Sequence, residues 1–456
     1  MSPSASSTAR APAQRHELEL HGLTHAGEAV GRLPNGKACF VAGAIPGERV
    51  LVEVTEQRKR WARARLVAVL HPSADRVEPP CPYYGSEEPG GPPRCGGCAL
   101  QHVAPTRQAA MKRRIVTEQL ERIGRFADPP VDQTRVPATQ GYREQARFAV
   151  TSEGQLGFRR RGGHDVVAID RCLLLTDETQ RLRELAGDAW IGVDEVTVRA
   201  GQPAGEPPGS GSAQGVWIVS PGAEGVPPVP DGDVGVALTS PRGPLALRGE
   251  TTVTKRVGDA MYRVSAGSFF QSGTLGAAVL VDLVRGAAAV QPGDTVLDLY
   301  AGVGLFARTL AADGALVTAV EADPSAAGDA RQNLVEYDAD VRTGPAEAAV
   351  AEMAAAHRWF DVVVLDPPRR GAGAETTARL AELEPRTVVY VACDPAALAR
   401  DARALVDAGL TLVTVTPVDL FAHTAAIEAV AVFARGGGTA TPWNADLGAA
   451  RLSSTA

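Results

Sequence analysis

Residues 294–307 are DTVLDLYAGVGLFA, the most informative segment of the chain for its architecture. The apolar run TVLDLY predicts a strand, and a glycine-containing turn follows it and opens a helix. In doubly wound sheets, ligands bind at the carboxyl ends of the strands, where small residues let the ligand approach the backbone. The spacing is D-x-x-x-G-x-G, without the G-x-G-x-x-G pattern of a dinucleotide site. The segment therefore predicts a parallel sheet with a ligand at this turn.

The segments around this turn alternate between helix and strand from about residue 281 to 435. Strand-like runs are LVTAVEAD (316–323), DVVVLDPP (361–368), TVVYVACDP (387–395) and AVAVFARG (429–436). Strands that alternate with helices indicate a parallel, doubly wound sheet. We therefore predict an α/β, Rossmann-like domain over residues 266–436.

An acidic side chain, Glu321, ends the strand that follows the glycine turn. At that strand end a carboxylate is placed to accept hydrogen bonds from both hydroxyls of a ribose. The turn and the acid together resemble the S-adenosylmethionine site of Rossmann-like methyltransferases. By that resemblance Tyr300 and Leu305 line the pocket of the cofactor.

Cys393 directly follows another apolar strand, at the same predicted edge of the sheet. Most lone cysteines are small buried hydrophobic residues. This one precedes Asp-Pro and a helix whose N-terminus can lower the pKa of a thiol. Asp366 ends a third strand, where amino-group methyltransferases have Asn, so an exocyclic nitrogen is a poor target. We predict Asp366 to be a carboxylate of the cofactor site or active site.

A thiol at this place suits methylation of carbon 5 of a pyrimidine. That carbon is a weak nucleophile until a thiolate adds to carbon 6 and generates an enolate. A base must afterwards remove the proton from carbon 5. Glu428 lies in the apolar stretch 420–433, and burial there would make its carboxylate a better base. The pattern alone is equally compatible with a Glu that faces solvent.

Six motifs in the same order resemble the RNA 5-methyluridine methyltransferase family. They are SAGSFFQ (265–271), LDLYAGVGLF (297–306), VEAD (320–323), LDPPRRG (365–371), YVACDPAALARD (390–401) and HTAAIEAVAVF (423–433). The resemblance implies that Cys393 is the nucleophile and Glu428 the general base. It implies that S-adenosyl-L-methionine is bound by Gln271, Tyr300, Glu321 and Asp366.

The first part of the chain predicts an RNA-binding module. Most of the basic residues lie in this part, although the whole chain has a formal net charge of −7. Five cationic residues surround Trp61, namely Arg58, Lys59, Arg60, Arg63 and Arg65. Short apolar strands with Gly and Pro turns occupy residues 16–75, and HAGEAVGRLPNGKACFVAGAIPGERVLVEV (25–54) resembles a TRAM module, an OB-like β-barrel. Such barrels bind nucleic acid through basic, stacking surfaces.

Four further cysteines have spacings that suit a metal centre: Cys81, Cys95, Cys98 and Cys172. A disulfide framework is not expected in a cytoplasmic chain. Four thiolates can hold zinc or an iron–sulfur cluster, and the spacing does not choose between them. The family resemblance does choose, because its ribosomal-RNA members have a 4Fe–4S cluster on four such cysteines. We expect a structural role for it, since methyl transfer needs no electrons.

The predicted organisation has three domains between two disordered tails. A helix is predicted at 106–125, packed on the central or the catalytic domain, and 201–232 is predicted to be a surface loop. No segment predicts a membrane span, and we expect a cytoplasmic monomer. The boundaries are 1–15 for the first tail, 16–75 for the TRAM-like barrel, 76–265 for a β-rich central domain with the cysteines, 266–436 for the Rossmann-like domain and 437–456 for the second tail.

These patterns predict S-adenosylmethionine-dependent methylation of carbon 5 of a uridine in structured RNA. The barrel and the cysteines favour 23S rRNA by family resemblance, and the T-loop uridine of tRNA is the alternative substrate. A cytosine-5 methyltransferase is disfavoured because its proline–cysteine signatures are absent. An iron–sulfur redox protein and a non-catalytic RNA-binding assembly factor are the alternatives of other classes.

Overall fold

The computed structural model describes residues 14–85, 91–202, 214–222, 229 and 233–436. The predicted tail 437–456, and most of 1–15 and of the predicted loop 201–232, lie outside the described residues. The chain divides into two compact units. The first unit comprises Met1–Met111, Arg159–Val167 and His423–Ala425, and the second unit comprises Lys112–Phe158, Ala168–Ala422 and Ala426–Ala456. The predicted boundaries at residues 75 and 265 stay predictions.

The first unit contains a closed five-stranded barrel, with strand order β1-β2-β3-β5-β4. Alternating buried positions such as Leu18, Leu20, Val50 and Val52 point into one core, as period-two patterning requires. β1 pairs with both β2 and β4, which closes the barrel. The strands are β1 (Arg15–Leu23), β2 (Ala29–Arg32), β3 (Ala38–Val41), β4 (Arg49–Gln57) and β5 (Trp61–His71).

A helix and a seven-stranded sheet follow the barrel along the chain. Helix α1 spans Pro105–Arg122, three residues shorter than predicted at its C-terminus, and Arg125 then adopts a left-handed φ of 57°. The sheet has the order β12-β11-β10-β9-β6-β7-β8. Its elements are β6 (Gln145–Val150), β7 (Leu156–Arg159), β8 (Val166–Ala168), α2 (Asp177–Ala186), β9 (Val193–Gly201), β10 (Gln214–Pro221), β11 (Gly235–Leu238) and β12 (Leu245–Arg248).

A hairpin and a second seven-stranded sheet complete the second unit. The hairpin is β13 (Thr252–Val257) with β14 (Ala260–Ser265), and helix α3 (Thr274–Ala288) follows it. The second sheet has the order β17-β16-β15-β18-β19-β21-β20. Its elements are β15 (Thr295–Leu299), α4 (Leu305–Ala312), β16 (Leu316–Glu321), α5 (Pro324–Asn333), β17 (Ala339–Thr343), α6 (Ala346–Ala355), β18 (Val362–Leu365), α7 (Ala374–Leu380), β19 (Thr387–Ala392), α8 (Pro395–Asp407), β20 (Leu410–Val418) and β21 (Glu428–Arg435).

Five strands of this second sheet, β15 to β19, are parallel, and β21 is antiparallel to its neighbours β19 and β20. Two of its helices begin at an Asp-Pro pair. The side chains of Asp323 and Asp394 accept hydrogen bonds from Ala326 N and Ala397 N, and proline occupies the first helical position of α5 and α8. The alternation of strand and helix confirms the predicted α/β, Rossmann-like fold with an N-terminal barrel.

Within the described part of the chain, no helix is both long and apolar enough to cross a membrane.

Candidate active site

Strand register brings the predicted catalytic and cofactor side chains of the second unit to one edge of the second sheet. Leu299 is paired with both Val320 and Leu365, so the next residue of each strand lies at the carboxyl edge. Ala392 is paired with Ala429 of the antiparallel β21, whose first residue therefore meets the same edge. The residues brought there are Tyr300, Glu321, Asp366, Cys393 and Glu428.

Cys393 and Glu428 occupy facing positions at this edge. Cys393 follows the last residue of β19 and is partly exposed, whereas Glu428 begins β21 and is only 3% exposed. Because the two strands pair antiparallel up to Ala392 and Ala429, the thiol and the carboxyl are adjacent in register. The arrangement places a thiol, which is a nucleophile when ionised, beside a desolvated carboxyl.

The thiol of Cys393 is harder to ionise than the sequence suggested. Burial raises its pKa to about 11, and the nearby carboxylates of Glu428 and Asp366 add to the shift, while Arg369 opposes it. The expected lowering by the N-terminus of α8 is therefore wrong for the ligand-free protein. A helix terminus supplies only part of a charge, and here burial and two carboxylates outweigh it.

Glu428 has the properties expected of a tuned base. Burial raises its pKa well above that of an exposed glutamate, and the charge of Asp366 raises it further against the opposing effect of Arg369. Its Oε1 is buried and has no hydrogen-bond partner among the residues that the structure describes. A carboxylate with a raised pKa is a stronger base than an exposed glutamate, which suits general acid–base chemistry.

Asp366 and Gln271 form a second polar pair at this edge. The Gln271 amide Nε2 donates to Asp366 Oδ2 over 3.4 Å, and the side chain of Gln271 is buried at 8% exposure. Burial raises the pKa of Asp366 to about 7. Gln271 precedes α3 and is remote in sequence from the other site residues, so only the fold places it here.

The turn between β15 and α4 has a strained backbone. Tyr300 adopts a left-handed φ of 60°, which a non-glycine residue rarely does, and its hydroxyl donates to Glu347 Oε1 over 3.3 Å. Gly302 N donates to Glu321 Oε2 (2.8 Å) and Asp323 N to Glu321 Oε1 (2.7 Å). Each carboxylate oxygen keeps a further lone pair for a ligand hydroxyl.

One acidic residue of the site was missed by sequence reasoning. Asp298, inside β15, is fully buried, and its Oδ2 accepts a hydrogen bond from Ala307 N at 2.9 Å, whereas its Oδ1 has no partner among the described residues. Burial raises its pKa to about 8, and the charges of Asp366 and Glu321 contribute. The sequence did contain a signal for Asp298, because an acidic residue is unusual in the middle of the apolar run TVLDLY.

The four cysteines predicted to hold a metal centre are divided between the two units. Cys81, Cys95 and Cys98 belong to the first unit and Cys172 to the second, and all four are partly exposed. All six cysteines of the chain are present as thiols. Throughout the described residues, no group of three or more His, Cys, Asp or Glu side chains is placed to hold a metal ion. A 4Fe–4S cluster on these residues would need all four thiolates to converge on one point, and it stays a prediction.

Comparison with known proteins identifies relatives along almost the whole chain. The TRAM domain model matches residues 13–67, which confirms the predicted barrel type, and the model described as conserved hypothetical protein 95 matches residues 284–405. An uncharacterised RNA methyltransferase of Streptomyces coelicolor is 36% identical over 439 residues, 92% of each chain. The 23S rRNA (uracil(1939)-C(5))-methyltransferase of Halomonas elongata is 35% identical over 457 residues, 91% of this chain and 89% of that protein.

One solved structure has the same fold over most of the chain. The tRNA (uracil-54, C5)-methyltransferase of Pyrococcus abyssi, in complex with S-adenosyl-L-homocysteine, aligns with a TM-score of 0.68 at 24% identity. The alignment covers 92% of this chain and 100% of that one.

Proposed function

The chain belongs to the RNA methyltransferase family that includes the 23S rRNA uracil-C5 methyltransferases, and we propose that it methylates carbon 5 of a uridine in 23S rRNA. The observation that carries the proposal is the pair Cys393 and Glu428. A partly exposed thiol lies in register beside a buried carboxyl whose Oε1 has no partner among the described residues. That pair suits a reaction that needs a nucleophile and then a base.

The proposed reaction uses the two groups in sequence. The Cys393 thiol loses its proton to solvent, and its sulfur adds to carbon 6 of the uracil, which moves the electrons of the 5,6 double bond toward O4. Carbon 5 then attacks the methyl group, and the bond between methyl and sulfonium breaks. Glu428 takes the proton from carbon 5, the bond between sulfur and carbon 6 breaks, and the thiolate leaves.

S-adenosyl-L-methionine supplies the electrophilic methyl group in this proposal. Glu321 would accept the ribose hydroxyls, because each of its oxygens keeps a lone pair beyond its backbone hydrogen bond. Tyr300 would line the pocket at the strained turn, and Gln271 with Asp366 would close it on the side of Cys393. The target uridine must leave the base stack to reach the thiol, since carbon 6 is not accessible to a side chain within a helix.

The proposal assigns no chemical step to an iron–sulfur cluster. Methyl transfer from a sulfonium moves an electron pair and no single electron, so the reaction balances without a redox centre. A substrate in the ribosome is consistent with the cytoplasmic location expected from the sequence, and the monomeric state stays a prediction.

In vitro methylation tests the proposal directly. Purified protein is incubated with methyl-labelled S-adenosylmethionine and with transcripts of 23S rRNA or of tRNA, and 5-methyluridine is mapped by mass spectrometry. We expect label in 23S rRNA from the wild-type protein and none from Cys393→Ala. Label confined to the tRNA T-loop would keep the mechanism and replace the substrate, whereas label on neither RNA would contradict the proposed function.

A further inference from the structure

The first unit has an open cleft of about 930 Å³ that the proposed reaction does not use. All of its lining residues belong to the first unit. Four arginines contribute to it, one each from β5, the segment after the barrel, the cysteine segment and the segment after β7: Arg65, Arg76, Arg94 and Arg161.

Two of these arginines are neutralised by carboxylates and two are not. Arg76 forms a bidentate pair with Glu48 (2.6 and 2.7 Å), and Arg65 pairs with Glu53 at 3.2 Å. Arg94 Nη1 donates to the Pro82 carbonyl at 2.8 Å, and Arg161 Nη2 donates to the Cys98 carbonyl at 2.5 Å.

Arg94 and Arg161 therefore form hydrogen bonds to neutral acceptors only. In the described part of the chain, neither has a carboxylate within 4.0 Å. Each guanidinium has five N–H donors in a planar fork, so donors and charge remain available to a ligand. Among the described residues that line the cleft, Glu78 is the acidic one, and its side chain is exposed.

Two further lining groups, His102 and Tyr84, add no charge near neutral pH. Burial, together with the positive charge of Arg76, lowers the pKa of His102 to about 4, and burial raises the pKa of Tyr84 to about 12. The Tyr84 hydroxyl contacts His102 Nδ1 at 2.6 Å and donates to the Ala99 carbonyl at 3.0 Å, so its ring is held against one wall. Cys81 also lines the cleft. The positive charge of the cleft thus comes from its guanidinium groups.

We propose that this cleft binds the phosphodiester backbone of the RNA substrate, with Arg94 and Arg161 as its phosphate ligands. Guanidinium forks match the geometry of phosphate oxygens, and a cleft open to solvent admits a continuous strand. The inference deepens the proposed function and rests on its RNA substrate. Contacts of this kind supply affinity without sequence specificity.

The salt dependence of RNA binding tests whether Arg94 and Arg161 contact phosphates. Wild-type protein, Arg94→Gln and Arg161→Gln are titrated with a 23S rRNA fragment, without methyl donor, at several KCl concentrations. Losing one phosphate contact reduces the slope of log K against log salt by about 1, which near 0.1 M salt weakens binding by roughly tenfold. The double variant should lose about two units of slope. With saturating RNA the methylation kcat should stay at the wild-type value, while KM for RNA rises.

Arg379→Gln is the matched control, because Arg379 is a surface arginine of α7 paired with Glu375 and lies outside the cleft. It should bind RNA with the wild-type slope. Arg161→Lys keeps the charge and should keep the slope, and thermal denaturation of each variant verifies folding. Wild-type slopes for both glutamine variants would overturn the inference while RNA methylation stands. A wild-type protein that neither binds nor methylates RNA would instead contradict the proposed function.

Discussion

Two buried glutamates, one in each unit, show how the same burial leads to opposite ionisation. The Glu48 side chain in the barrel unit is fully buried and accepts hydrogen bonds from Arg76, Ile45 N and Ser73 N. Burial alone would raise its pKa, but the hydrogen bonds to Arg76 and the two backbone amides outweigh burial and lower it. Glu428 is buried to a similar degree, its Oε1 lacks a partner among the described residues, and its pKa is raised.

The difference separates a structural carboxylate from a reactive one. Glu48 is ionised at neutral pH and holds Arg76 against the barrel, so its charge is compensated within the first unit. Glu428, Asp366 and Asp298 lie near one edge of the second sheet, and the pKa of each is raised. Such a concentration costs stability, and active sites are where proteins retain it.

The largest expected effect is the loss of methylation when Cys393 is replaced. Cys393→Ala should reduce single-turnover methylation by about 10⁴-fold or more, because loss of a covalent nucleophile removes the whole route that depends on it. RNA affinity should stay within about twofold, since phosphate contacts dominate it. Residual methylation near the wild-type rate would show that the thiol is not the nucleophile.

Glu428→Gln should slow turnover by about 10² to 10⁴-fold, the range contributed by general acid–base groups. The amide cannot remove the carbon 5 proton, so the protein–RNA adduct at Cys393 should accumulate and survive in a denaturing gel. Cys393→Ala combined with Glu428→Gln should show no such band. A slow variant without any adduct would assign Glu428 to another step.

The raised pKa of Cys393 predicts slow alkylation in the ligand-free protein. With a pKa of about 11 rather than 9.0, the thiolate fraction at pH 8 is about 100-fold below that of an unperturbed thiol. Iodoacetamide labelling followed by mass spectrometry should show a rate that rises about tenfold per pH unit from 7 to 10. A labelling rate that stops rising below pH 8 would show that the N-terminus of α8 lowers the pKa of the thiol more than burial raises it.

Glu48→Gln should destabilise the barrel unit by about 2 kcal/mol, because it leaves the guanidinium of Arg76 without its charged partner. Since the folded pKa of Glu48 is lowered, its contribution is present above the unfolded value near 4.5 and is lost as the pH falls. Thermal denaturation at several pH values measures the melting temperatures of Glu48→Gln and Glu428→Gln against the wild type. Glu428→Gln should keep or raise the wild-type melting temperature, and equal losses for both would remove the distinction.

The smallest expected effect concerns Asp298→Asn. The folded pKa of about 8 exceeds the 3.8 of an exposed aspartate, so the wild-type protein loses stability as the pH rises from about 4 to 8. Asn keeps an acceptor for Ala307 N and has no charge, so Asp298→Asn should be more stable than the wild type at pH 8. A variant with the pH dependence of the wild type would place the titration on another group.

Local pattern was sufficient for several features of the molecule. The alternation of apolar strands and helices predicted the Rossmann-like sheet, because it records which faces are buried. Apolar patterning also predicted the short strands of residues 16–75, and the resemblance to a TRAM module predicted that they form a barrel. Cys393 and Asp366 were recognisable because each is a polar residue directly after an apolar strand. The thiol's pKa was misjudged, since the sequence showed the helix that follows Cys393 but not the carboxylates facing it.

Tertiary structure alone decided which groups are neighbours and how strongly they are charged. Gln271 meets Asp366 across 95 positions of sequence, and Cys393 meets Glu428 through the pairing of β19 with an antiparallel strand. The cleft likewise joins Arg94 to Arg161 from separate segments. Residue type and periodicity are local properties of a chain. Desolvation and Coulomb interaction depend on distances that only folding sets.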